Sequence, residues 1–196
     1  MRSGRAGAAR KAVAAEGLAA VADMIAAYRA GRRFKTLYQV AWLTVALKDL
    51  RVRDDAWARM DPRHHQAHQR MWTDVVRRAQ PGHVAAPASL LAFTAWQAGN
   101  GALANMVLDR ALAEDPGYSM ALLLRQVISA GAPPSMARLP MTPEEVAACY
   151  DRTQDGLDGE DPGDGTDENE DEDEPDGDEH PGDGDHPCRG PAGMTT

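Results

Sequence analysis

Apolar residues recur at intervals of three and four along the first 150 residues, and nowhere do they alternate with polar ones over a strand length. That is the helical period, because positions i, i+3, i+4 and i+7 share one face of an α-helix. Leu18, Val21, Ile25 and Tyr28 predict a first helix over residues 7–30, closed by Gly31. Leu37, Val40, Ala41, Thr44 and Leu47 predict a second over 36–47, and a short third is expected at 54–59. Asp61-Pro62 reads as a start signal, since Asp caps free backbone donors and Pro fits the first turn. The helix it opens is expected to turn His64, Ala67 or His68, Met71, Trp72, Val75 and Val76 inward and to end near Ala79. A helical pair follows over 88–98 and 101–113, then a helix over 118–130. Thr142-Pro143-Glu144-Glu145 opens a last short helix that should stop near Tyr150. The expected fold class is all-α.

Past Tyr150 the pattern ends. Residues 151–196 hold 18 acidic and two basic side chains, with Gly and Pro filling most of the rest. Such a segment buries too little apolar surface to offset its conformational entropy, so a disordered acidic tail is expected there. Residues 1–150 carry 12 acidic and 19 basic residues, so the whole-chain net charge of −9 describes neither part. A helical domain over 1–150 and a tail over 151–196 is the expected organisation. A body of that size needs no crosslinks. Cys149 and Cys188 form no disulfide framework, which suits a reducing compartment, and a cytoplasmic location is expected. Residues 79–108 contain no Asp, Glu, Lys or Arg, but Pro81, Gly82, Pro87, Gly99 and Gly101 divide them below the ~20 residues a membrane span needs. No membrane association is expected.

The stretch from Leu91 to Tyr118 resembles a tetratricopeptide repeat. With Pro116 as the closing proline, Ala104 and Ala111 fall on the small positions of the second helix, Leu108 between them, and Gly99 in the turn. Ala88 and Ala95 stand where the repeat usually has Trp and Tyr, and no preceding repeat is visible. A wider resemblance rests on Ala41-Trp42-Leu43-Thr44-Val45-Ala46-Leu47, Arg51-Val52-Arg53-Asp54-Asp55-Ala56-Trp57, Trp72-Thr73-Asp74-Val75-Val76-Arg77-Arg78-Ala79 and Ala86-Pro87-Ala88-Ser89-Leu90-Leu91-Ala92-Phe93-Thr94-Ala95-Trp96-Gln97-Ala98-Gly99. These strings look like the C-terminal half of an actinobacterial family catalogued as domain of unknown function 4192, over about residues 36–145. The resemblance implies no activity. It implies that a further N-terminal region usual in the family is missing here.

Candidate chemistry is thin. No catalytic residue and no cofactor site stand out: there is no Gly-x-Ser-x-Gly elbow, no strand-borne phosphate loop, and no His near Cys149 in sequence. His64 and His68, at i and i+4, are weak metal candidates without a third ligand. The tail carboxylates match no EF-hand register. Trp42, Trp57, Trp72 and Trp96 fall at core-like positions. Arg32, Arg33 and Lys35 cluster at a helix junction, and Arg77-Arg78 at a helix end, within a segment of residues 1–79 that carries a net of +9. With Trp96 they form the candidate interaction surface. The expected role is a non-catalytic protein-interaction or scaffolding domain with an unknown protein partner. The alternative is a nucleic-acid-associated protein whose acidic tail modulates binding. An enzyme is the less favoured reading.

Overall fold

Capping residues set most of the helix boundaries. The computed structural model describes the backbone at residues 2–136 and 141–157, and side chains at 7–136 and 141–152. Among the described residues there are eight α-helices and no strand: α1 Arg2–Arg29, α2 Leu37–Ala46, α3 Leu50–Ala58, α4 His65–Val76, α5 Ala85–Gln97, α6 Gly101–Glu114, α7 Ser119–Ser129 and α8 Pro143–Leu157. The fold is all-α, as the periodicity predicts. Contacts divide the chain into Met1–Val146 and Ala147–Thr196. The expected acidic tail lies, from residue 158 on, outside the described residues.

Thr36 caps α2 in a reciprocal box: its hydroxyl accepts from the Gln39 N–H, and the Gln39 side chain accepts from the Thr36 N–H. Asp49 accepts from the Arg51 N–H at 2.9 Å, which starts α3 at Leu50 and not at residue 54. Asp61 and Pro62 open a 3₁₀ turn, Pro62–His64, before α4 begins at His65. Thr142 and Glu145 form a second box, with Thr142 N–H to Glu145 Oε2 at 2.7 Å. The helix it starts runs to Leu157, past the expected stop near Tyr150, because neither Gly nor Pro interrupts it before Gly156.

In the unit Met1–Val146 the centre is α5. Every residue from Ala85 to Trp96 is buried, with α4, α6 and α7 packed around it. This accounts for the absence of charge along α5: a helix enclosed on all sides has no face on which a charge is solvated. The turn to α6 is a Schellman closure. Gly99, at φ +75°, donates to the Trp96 carbonyl and Asn100 to that of Ala95, both at 2.8 Å. Ala104, Leu108 and Ala111 are fully buried along the α6 side of this hairpin. At its other end the Glu114 carboxylate accepts the Val84 N–H at 3.0 Å, placing an anion at the start of α5.

The long α1 packs on α2, α3 and α4. Trp72 is wholly buried and Trp96 nearly so, whereas Trp42 and Trp57 are half-buried, Trp57 lying edge-on to Phe93 at 5.5 Å. In the second unit, Cys149 is disulfide-bonded, where the sequence suggested thiols.

Candidate functional site

Two surfaces of the Met1–Val146 unit stand out: a basic cleft on α4 and an apolar face on α2. On α4 the inward positions Ala67, His68, Met71, Trp72, Val75 and Val76 are buried. The opposite face carries Gln66, Gln69, Arg70, Thr73 and Arg77, which the helical repeat stacks into one strip. Arg33, from the segment joining α1 to α2, faces that strip across an open cleft of about 370 Å³.

Among the described residues Asp74 is the only carboxylate lining the cleft, and it is already engaged. Its carboxylate accepts from Tyr28 Oη at 2.8 Å and from Arg78 Nη1 at 3.3 Å, with Arg33 Nε 3.7 Å away. Burial, and then the bond to the Asp74 carboxylate, hold the Tyr28 phenol well above its ordinary range. Arg78 also donates to the Asp74 carbonyl at 2.9 Å, and its guanidinium lies 4.8 Å from the centre of the Phe34 ring. Arg78 is thus spent on the structure. Arg77, its neighbour in sequence, points into the cleft.

On α2, Val40, Leu43, Thr44 and Ala46 are buried. The outer positions Leu37, Tyr38, Ala41, Trp42 and Val45 are apolar as well, and Leu37 and Tyr38 remain 67% and 75% exposed. An apolar helix all round is the composition of an enclosed element. Here one side is open.

The residues singled out from sequence separate. Arg33 and Arg77 share the cleft, Arg32 and Lys35 are exposed, and Arg78 is turned to Asp74. Trp96 is no surface residue: it is 6% exposed, and its indole N–H donates to the Ala132 carbonyl at 3.2 Å. It is buried because α5 is enclosed on all its faces from Ala85 to Trp96. His64 and His68 also diverge. His64 is exposed and expected inward, but its Nδ1 lies 3.1 Å from Asp61 Oδ2 in the turn. His68 is buried, and its Nε2 accepts from the Asp61 N–H at 3.4 Å and from Arg29 Nη2 at 3.5 Å. That lone pair is therefore occupied by donors. Among the described residues no group of three or more His, Cys, Asp or Glu is placed to hold a metal ion. Asp61 is held well below the usual carboxylate range, first by the hydrogen bond from Arg63.

Sequence reading missed Arg70, Gln66, Gln69 and Thr73. The signal was present, because Arg70 and Arg77 stand two helical turns apart on one face. It is weak without knowing which face is buried.

The model of the family described as Domain of unknown function (DUF4192) matches residues 1–135. The chain belongs to this family. The match takes in α1, which the expected span of 36–145 left out, and ends before α8. No curated protein and no solved structure matches the chain. Among the described residues no helix is long and apolar enough to cross a membrane.

Proposed function

We propose that this member of the DUF4192 family is a non-catalytic helical interaction domain that binds a protein partner through the outer face of α2. The observation that carries the reading is the apolar strip of Leu37, Tyr38, Ala41, Trp42 and Val45 left open on a helix with no charged residue. A contiguous exposed apolar patch loses its unfavourable contact with water when a partner covers it. Five positions within about two and a half turns suit an apolar helix or groove on another protein. The long α1, which packs on α2, α3 and α4, then carries α2 on the body of the unit. A cytoplasmic setting is supported by the scarcity of cysteine, with the disulfide at Cys149 standing against it.

Site-specific photo-crosslinking in the native host tests this. A photoreactive residue at position 38 or 45 is expected to give one discrete adduct with another protein, and at the exposed position Asp109 none. Absence of adducts at 38 and 45, or the same adducts at 109, would overturn the reading. The nucleic-acid alternative draws its support from a different feature, the meeting of Arg33 and Arg77 in one cleft. At about 370 Å³ that cleft has the capacity of a small-molecule site and not of a duplex groove.

A further inference from the structure

We propose that the cleft between α4 and the α1–α2 segment is a binding site for a small phosphomonoester, with Arg33, Arg70 and Arg77 as its anion-binding residues. Three observations converge on this ligand class.

The first is charge. Arg70 and Arg77 have no ion pair with any carboxylate among the described residues, and Asp74 is matched by Arg78 from outside the cleft. Three guanidinium groups therefore face a space whose one negative group is already compensated. A phosphomonoester, at roughly −1.5 to −2 near neutral pH, is the common biological anion that suits a surplus of two or more positive charges. A single carboxylate leaves most of it unmatched.

The second is donor geometry. Arg70 and Arg77 stand about 10 Å apart along the helix, and Arg33 approaches from the opposite wall. Planar guanidinium forks reaching a cleft from several directions suit the three oxygens of a phosphoryl group. Arg33 pairs through its Nε with Asp74 at 3.7 Å while its side chain stays 68% exposed, which leaves its two terminal amino groups to bond a ligand.

The third is the rest of the lining. Gln66, Gln69 and Thr73 lie on the same strip, and their side chains make no hydrogen bond with another described residue. They offer amide and hydroxyl groups to a polar ligand body such as a sugar. The volume, about 370 Å³, sits at the lower end of the range for small-ligand sites, roughly 300–1,000 Å³.

The test is titration of the full chain with glucose 6-phosphate, with glucose and dimethyl phosphate as controls, followed by backbone amide chemical shifts. Saturable shifts at Gln69, Arg70 and Thr73 are expected with glucose 6-phosphate, none with glucose, and weaker ones with the monoanionic diester. Arg70→Ala and Arg77→Ala should each weaken binding about tenfold, as expected for loss of a charged hydrogen-bonding group. Arg70→Lys should fall between wild type and Arg70→Ala. Both arginines are exposed, so circular dichroism and melting temperature should be unchanged. Met106→Gln, at an exposed position on α6, should bind as wild type. The proposal fails if millimolar glucose 6-phosphate produces no saturable shift or if the alanine variants bind normally. It also fails if an oligonucleotide binds far more tightly than the sugar phosphate and loses that binding in the same variants, an outcome that assigns the cleft to nucleic acid.

Discussion

The imidazole of His68 is 1% exposed, between Asp61 and Arg29. Burial first, then the charges of Arg29 and His64, lower its pKa from the ordinary 6.5 to about 4. Below pH 6.5 the unfolded chain takes up a proton that the folded chain refuses. Stability from this group is therefore full above pH 6.5 and is lost as pH falls toward 4, by up to about 3 kcal/mol. Melting temperatures measured from pH 7 down to pH 4 should decline for the wild type, and a His68→Gln variant should be flatter between about pH 6.5 and 5. Parallel curves would rule out His68 as the source. Sequence left the inward position open between Ala67 and His68 and could not show the donors of His68, because Arg29 and Asp61 belong to other segments. Arg77 and Arg78 teach the same lesson. They are neighbours in the chain, yet a 100° helical step sends one into the cleft and the other to Asp74 and Phe34.

Among elements, α1 shows how a helix crossing overrides intrinsic preference. Gly17 lies in its middle, where Gly is disfavoured by about 1 kcal/mol relative to Ala. From sequence alone Gly17→Ala reads as a stabilising change. In the structure a Cβ at that position would stand 2.9 Å from Val52 Cγ2 and 3.0 Å from the Ala46 Cβ, which no rotamer change can move. We expect Gly17→Ala to push α1 off α2 and α3 and to lower the melting temperature despite the gain in helix propensity. A higher melting temperature would show that α1 stands further from these helices. The contrast with Gly99 is instructive. There the turn demands φ +75°, and the glycine was legible because a helix stop and a repeat-like ending frame it.

At the scale of the molecule the dominant feature is the separation of charge, net +7 in residues 1–150 and net −16 in 151–196. Tethering two flexibly linked groups on one chain sets an effective concentration of order millimolar. We predict that the carboxylates of residues 151–196 compete with an added anion, an effect screened over roughly 8–10 Å at physiological salt. A chain ending at Leu157 should therefore bind glucose 6-phosphate more tightly than the full chain at low salt, with the difference vanishing as salt rises. Equal affinities for both chains at low salt would sink the competition. This asymmetry was visible in composition before any helix was placed. The cleft was visible only in part, since Arg33 and Arg77 stood out as clustered charges while Arg70 looked like one arginine among many.

The sequence by itself determined the helices, the start signals at Asp61 and Thr142, the turn at Gly99 and the partition of charge. These follow from contacts within a few residues of the chain, which local periodicity and capping chemistry encode. Tertiary structure alone decided that Trp96 is core, that α2 keeps an apolar side open, that Arg33 meets Arg70 and Arg77, and that Arg78 lies against Phe34. Each of these depends on which helix covers which face. An apolar residue gives the same local signal under a neighbouring helix as under open solvent, and an arginine reads the same whether or not a group from a distant segment faces it.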